Sequence, residues 1–320
     1  MHISGRPLLD NQLDAALVVG RDEAVSRVVN AVSTDLNVLL VGERGSGRTT
    51  VLRQVARKLR DQGVASLWID AGTALTTQQL VDVVTARLME GNGSQRRTAF
   101  DGTEDWPLQR LFSTRADALP AVALLDNAVP GAAYGLFGTL RDELWQLPVR
   151  WAVTCTDRDR ATLLRPPADA FFDVEVALPA LPDDQARALV RARVPNGQLA
   201  DDALATIVDF AAGNPRALLS ATRVALAEPA ATGELAGSAR ERDRRLSAVS
   251  PAAAELVADL ETSGPASASD PGLLARHGWT RSRATQLLRE LLDAGLVETT
   301  TVRNGPGRPR TVYTAVTVRP

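Results

Sequence analysis

Short, continuous apolar runs punctuate the first half of the chain: Leu36 to Val41, Val64 to Asp70, Ala121 to Asp126, Val149 to Thr156 and Phe172 to Leu178. Between them apolar positions recur three and four apart, the spacing of one helix face. Uninterrupted apolar strands separated by helices predict a parallel sheet covered on both faces, here an α/β domain of five strands from about Leu17 to Pro179. Gly91 to Thr103, GNGSQRRTAFDGT, interrupts the pattern with Gly, Ser and Asn and marks a loop, with Arg96 and Arg97 at a solvated tip.

From Leu181 to about Ala227 the pattern turns helical throughout. Asp183 and Asp184 stand in a first turn, and Ala186, Leu189 and Val190 line one face, which predicts a small helical lid. Glu228 to Ser238, EPAATGELAGS, reads as a linker. Beyond it Ser250 to Thr262, Asp270 to His277 and Thr280 to Ala294 form three helical stretches, the last two separated by Gly278-Trp279 as in a helix-turn-helix. Leu273, Leu274, Ala284, Leu287, Leu288, Leu291 and Leu292 supply a core face, Thr280 caps the third helix, and Arg281, Ser282, Thr285, Gln286 and Arg289 are left for solvent or a groove. Leu296 to Val302 and Thr311 to Thr317 then predict two strands around the polar, Gly/Pro-rich turn from Arg303 through Arg308 to Arg310. The expected domains are residues 1–179, 180–238 and 239–320.

Composition narrows the function classes. A chain of 320 residues is long for one domain. No apolar run approaches the roughly 20 residues of a membrane helix. The start, MHISGRPLLDNQ, has no charged and apolar leader, so a soluble, cytoplasmic protein is expected. Cys155 is the single cysteine and His2 and His277 the only histidines, which excludes an internal disulfide, a zinc cluster and a histidine-based triad. Net charge is −2, but Arg276 to Pro320 carries eight arginines against Glu290, Asp293 and Glu298, a local excess of +5 on an otherwise acidic body. That asymmetry points to a nucleic-acid-facing end.

The first apolar run leads into Gly42-Glu43-Arg44-Gly45-Ser46-Gly47-Arg48-Thr49-Thr50 and then a helical face of Val51, Leu52, Val55, Ala56 and Leu59. Strand, glycine-rich turn and helix in this order make a phosphate cradle: glycines let backbone N–H groups wrap phosphates, and the helix N-terminus favours negative charge. Gly42, Gly45, Ser46, Gly47, Arg48, Thr49 and Thr50 are the candidate binding residues, with ATP or ADP and Mg²⁺ the expected cofactors. Arg48 stands where GxxxxGK[ST] has lysine. The planar guanidinium keeps the charge but cannot place it as lysine does. Thr49 retains a hydroxyl for Mg²⁺, and Leu124-Leu125-Asp126 ends the third run with a carboxylate on the metal side. Asn127, next to it, is neutral and cannot accept a proton, so weak or partner-dependent hydrolysis is expected.

Val19-Gly20-Arg21 ahead of a helix, the P-loop, LLDN, the strand WAVTCT and Gly213-Asn214-Pro215-Arg216 occur in the order of the AAA+ ATPases, and the set resembles their origin-recognition initiator and STAND branches. The resemblance implies adenine packing near Val19 and Gly20, a sensor-1 polar residue at Thr154 or Thr156, and a sensor-2 arginine at Arg216. Independently, Asn214 suits an N-cap and Pro215 a first helical position, which puts Arg216 in a first turn. A trans-acting arginine is expected after the fourth strand, at Arg165, with Arg158 and Arg160 as alternatives. The C-terminal helices and basic hairpin resemble winged-helix DNA-binding domains. That likeness implies a third helix in the major groove of double-stranded DNA and Arg308-Pro309-Arg310 against backbone or minor groove. A self-associating, DNA-binding AAA+ switch is the leading expectation. A steadily turning-over ATPase remodeller and a degenerate P-loop scaffold that docks a protein partner through its winged helix are the other two.

Overall fold

The computed structural model describes residues 3, 6, 8–90, 119–228, 237, 241–242, 244–302 and 310–316. They fall into two compact units, Met1–Pro195 with Ala212–Arg216, and Asn196–Ala211 with Ala217–Pro320. In the first unit β1 (Val38–Gly42), β2 (Ser66–Asp70), β3 (Val122–Asp126), β4 (Arg150–Cys155) and β5 (Val174–Leu178) form a parallel sheet in the order β2-β3-β4-β1-β5. Every residue of β1 and β3 is buried, as strands covered on both faces require.

Alternation along the strands divides the core into two layers. Val38 and Leu40 of β1 join Leu124, Ala152 and Val176 against α2 (Asp22–Ser33) and α3 (Arg48–Asp61), which follow the short α1 (Gln12–Ala15). Leu39 and Val41 join Ile69, Leu125 and Val153 on the other face, covered by α4 (Thr77–Glu90), α5 (Pro130–Tyr134), α6 (Arg141–Trp145) and α7 (Asp157–Leu163). A π turn at Gly135–Thr139 between α5 and α6 carries Phe137, whose ring meets Trp151 edge-on at 5.6 Å. α8 (Asp183–Arg191) closes the unit, burying Ala186, Leu189 and Val190.

The strands are shorter than the apolar runs, and hydrogen bonds show why. Leu36 N–H donates to Ala31 O and Val64 N–H to Leu59 O, so the first residue of each run closes the preceding helix instead of pairing in the sheet. Thr156, at the end of the fourth run, caps α7. Apolar content marks contact with the core, and Leu36 and Val64 are half-buried there as helix exits.

In the second unit α9 (Asp201–Ala211) buries Leu204, Ile207 and Val208, and α10 (Pro215–Ala227), whose first two residues belong to the first unit, buries Leu218, Leu219 and Ala221. Three further helices, α11 (Pro251–Ser263), α12 (Pro271–His277) and α13 (Arg281–Asp293), precede an antiparallel hairpin of β6 (Val297–Val302) and β7 (Arg310–Ala315). Ala266 bridges to Tyr313 and adds a third extended segment to the hairpin. Ser250, Asp270 and Thr280 cap the three helices through their side-chain oxygens. Leu256, Leu260, Leu273, Ala284, Leu287, Leu288 and Leu291 pack as one core. Leu292 departs from the expected core face: it is 39% exposed, because it lies one position past the row formed by 284, 287, 288 and 291. The loop expected at Gly91 to Thr103 lies outside the described residues, as does most of the linker expected at Glu228 to Ser238. No helix among the described residues is long and apolar enough to cross a membrane.

Candidate functional site

The turn between β1 and α3 is shaped by two glycines in the left-handed region, Gly45 at φ +93° and Gly47 at φ +99°, conformations that L side chains adopt with strain. Gly47 is the N-cap of α3, so the free N–H groups of the first helical turn point into the loop. Space beside it is open, with nothing within 4 Å of where a Cβ would stand. Ser46 is buried and its hydroxyl has no hydrogen-bond partner among the described residues. A left-handed glycine facing open space, an orphaned hydroxyl and free amides fit an anion such as phosphate.

Below the turn, Thr49 Oγ1 donates to Asp126 Oδ2 at 2.7 Å, and Thr154 Oγ1 donates to Asp126 Oδ1 at 2.6 Å. Three adjacent elements, α3, β3 and β4, therefore converge on one carboxylate that is only 1% exposed. Of the two threonines considered on β4 and after it, Thr154 is the one beside Asp126. The Thr156 hydroxyl accepts from Asp159 N–H at 3.1 Å and donates to Asp159 Oδ2, so it is engaged in capping α7. Thr49 Oγ1 and Asp126 are hard oxygen donors of the kind magnesium takes. Thr50 follows Thr49 in the first turn of α3 and is half-buried.

Arg48 folds back on its own loop: Nη1 donates to Gly42 O and, at 3.1 Å, to Glu43 O. Burial pushes its pKa down, and the nearby Asp126 pulls it back up. Asn127, after Asp126, takes a left-handed φ of +59°, donates its N–H to Thr154 Oγ1 at 3.3 Å and donates from Nδ2 to Asp70 Oδ1 at 3.2 Å.

The segment Gly213 to Arg216 lies against the P-loop within the first unit. Asn214 Nδ2 donates to Arg44 O at 3.0 Å, Asn214 Oδ1 accepts from Arg216 N–H at 3.0 Å, and Arg216 N–H also lies 3.3 Å from Gly45 O. A Cβ on Gly45 would come within 2.6 Å of Asn214 Oδ1 and 2.8 Å of Arg216 Cβ, so this glycine permits a close approach. Val19 is half-buried, and Gly20, at φ +68°, lies so near Gln185 and Leu181 that a Cβ would collide with both. Arg165 is exposed and lies 4.5 Å over the Tyr134 ring, while Arg160 pairs with Glu175 at 2.7 Å.

Two residues of this site were not legible as such. Arg21 is buried and donates from Nη2 to Ser46 O at 3.0 Å and to Pro179 O at 2.9 Å, tying the P-loop to the end of β5; burial lowers its pKa. Asp70 ends β2 in register with Asp126. Arg21 stands in the Val19-Gly20-Arg21 motif, which does not reveal its partners, and Asp70 has no sequence signal of its own, since its place depends on which strands are neighbours.

In the second unit Arg281, Ser282, Thr285, Gln286 and Arg289 are all exposed and line one open depression of about 490 Å³ on α13. Arg281 and Arg289 have no acidic partner among the described residues, and Arg283 donates to Gln286 Oε1 at 2.9 Å. Arg276 pairs with Asp259 at 2.6 Å, so one charge of the basic excess is compensated. Arg310 donates to Ser267 Oγ at 2.5 Å and lies 3.8 Å from Asp270, held on the body of the module. Arg303 and Arg308 lie outside the described residues.

No protein-family model and no curated protein matches the chain. Solved structures do. Orc1 of Aeropyrum pernix, determined in complex with DNA, is 21% identical, covering 93% of this chain and 89% of that one, at TM-score 0.51. Cdc6p of Pyrobaculum aerophilum is 14% identical over 96% and 94% at TM-score 0.54, and a Walker-type ATPase of Pyrococcus abyssi 14% identical over 98% and 97% at TM-score 0.53. With the sheet order and the converging P-loop, Asp126 and Thr154, these likenesses establish that the chain has the fold of the Orc1/Cdc6-type AAA+ ATPases.

Proposed function

We propose that the chain is a nucleotide-dependent switch that binds ATP or ADP in the Gly42 to Thr50 loop and double-stranded DNA through α13 and the following hairpin, a winged helix-turn-helix. The observation that carries the reading is the convergence of Thr49 and Thr154 on buried Asp126 beneath a turn whose Ser46 hydroxyl lacks a partner among the described residues. Backbone amides there cradle the phosphates. Thr49 and, through water, Asp126 would hold Mg²⁺, which supplies charge neutralisation on the phosphate oxygens. Arg48 must leave Gly42 O and Glu43 O to meet a phosphate, so its positive charge is obtained by breaking two contacts. Val19 and Gly20 flank the base, and Arg216 adds charge from the start of α10. Arg165, where a second copy of the chain abuts this surface, is the candidate for acting in trans.

The DNA half rests on five exposed polar residues sharing one face of α13, with Arg281 and Arg289 free of acidic partners among the described residues. Arg303 and Arg308, which fall between β6 and β7 in the sequence, would add to this positive charge. Replication initiators are one home for such a switch, and transcriptional regulators another.

Titration calorimetry with ATP and ADP plus Mg²⁺, and fluorescence anisotropy on random and A·T-rich duplexes at two salt concentrations, test the two halves separately. No heat at millimolar nucleotide would sink the first. DNA binding that ignores salt, or that survives in a chain ending at Ser238, would sink the second and assign the module to a protein partner.

A further inference from the structure

β2 and β3 end side by side, Asp70 in register with Asp126, on parallel strands that lie about 4.8 Å apart. The pairing runs one residue further, where Ala71 N–H donates to Asp126 O at 2.9 Å. Asp126 itself is engaged elsewhere, since both of its carboxylate oxygens already receive threonine hydroxyls. Asn127, the next residue, has a neutral amide and cannot take a proton.

Asp70 differs from both. It is exposed at the end of its strand, and its Oδ1 accepts Gly72 N–H at 3.1 Å and Asn127 Nδ2 at 3.2 Å. Among the described residues its Oδ2 receives no donor. The left-handed backbone at Asn127 turns the chain at the strand end, where its amide meets Asp70. Immediately beyond the metal-side aspartate the sheet thus presents a bonded carboxylate and amide, the amide on β3 and the carboxylate on β2.

Resting on the nucleotide reading above, we propose that Asp70 is the proton acceptor for the water that hydrolyses a nucleoside triphosphate in this site, and that Asn127 positions it. The water oxygen forms a bond to the γ-phosphorus. The bond from that phosphorus to the bridging oxygen breaks, and its electron pair leaves with the diphosphate. Asp70 takes the proton released by the water and returns it to the departing phosphate. A carboxylate held by an amide from the neighbouring strand supplies what residue 127 lacks.

Asp70→Asn separates this role from a structural one, because asparagine keeps the Oδ1 acceptor for Gly72 N–H and loses only the charge. Turnover with Mg²⁺, with and without duplex DNA, is measured beside the affinity for a non-hydrolysable ATP analogue by calorimetry. Asp70→Asn should lower kcat by about a hundredfold or more, the scale of a lost general base. Analogue affinity should change by less than about threefold, since the residue acts in the transition state and not in ground-state binding. The exchange Asp70→Asn with Asn127→Asp moves the carboxylate one strand over, at a position whose left-handed backbone aspartate tolerates. It should recover at least about tenfold of the lost rate. Wild-type protein that fails to bind the analogue overturns the nucleotide reading itself. Binding without any turnover that Asp70→Asn reduces, or loss of analogue affinity in parallel with rate, overturns the assignment of Asp70 alone.

Discussion

Replacing Thr154 by valine tests the geometry around Asp126 most directly, because the side chain keeps its shape and loses only the hydroxyl. That hydroxyl donates to Asp126 Oδ1 at 2.6 Å and accepts from Asn127 N–H at 3.3 Å, in a position 5% exposed. A hydrogen bond to a charged group contributes about 1.5 to 3 kcal/mol, and the 3.3 Å contact is too long to add much. Thr154→Val should therefore destabilise the first unit by about 2 kcal/mol. Thr154→Ser, which retains the hydroxyl and removes one methyl, should cost about 1 kcal/mol or less. Thr156→Val removes a helix cap instead and should cost about 1 kcal/mol. Guanidinium unfolding followed by tryptophan fluorescence gives the ranking as midpoints, which is the safer quantity in a chain of two units. Calorimetry with nucleotide and Mg²⁺ then distinguishes the threonines by function. Thr154→Val leaves Asp126 with the Thr49 hydroxyl as its remaining side-chain donor and should alter affinity, whereas Thr156→Val should not. Equal midpoints for Thr154→Val and Thr154→Ser would refute the hydrogen-bond account, and equal affinities for the valine variants at 154 and 156 would refute the role of residue 154.

Gly47→Ala should weaken nucleotide binding out of proportion to its stability cost of roughly 1 to 2 kcal/mol, because it places a Cβ in the open cradle at a left-handed φ; calorimetry and unfolding on the same sample decide. Arg48→Ala should lower triphosphate affinity by the order of tenfold through loss of a charge-assisted contact, offset in part by the release of Gly42 O and Glu43 O, and equal ATP affinity in variant and wild type would contradict it. The Cys155 thiol is pushed up to about 12 from 9.0, by burial first and then by Asp159, so the stability it carries is intact below about pH 9 and is lost as pH rises towards 12. Folded protein should accordingly resist thiol reagents at pH 8 and react on unfolding, and rapid labelling under native conditions would show the site is open. Exchanging Arg281 and Arg289 together for alanine should flatten the plot of log affinity for DNA against log salt by about 0.9 for each phosphate contact removed. An unchanged slope would place the phosphate contacts elsewhere.

Much of the fold was legible because it rests on local chemistry. A glycine turn after a buried run needs no tertiary information to be read as a phosphate loop, and Asn214, Pro215, Ser250, Asp270 and Thr280 mark helix starts by residue type. Strand ends were less legible. Leu36 and Val64 pack half-buried against the core, yet the backbone uses them to finish helices, and no property of the side chain separates the two uses. The row of buried leucines on α13 was read one position too far, since 291 and 292 are equally apolar and only the helical phase tells them apart.

What the sequence hides is adjacency between strands far apart in the chain. Thr154 and Thr156 stand two apart on the same apolar run, and only the end of β4 at Cys155 and its parallel register with β3 make residue 154 the neighbour of Asp126. The same argument applies to Asp70. Its segment ends like any other strand, and nothing about a lone aspartate there indicates a function. Once β2 is laid against β3, Asp70 falls beside Asp126 and receives the Asn127 amide, so a position that looked deficient becomes half of a pair. A substitution read along one strand is therefore incomplete evidence about chemistry built across two.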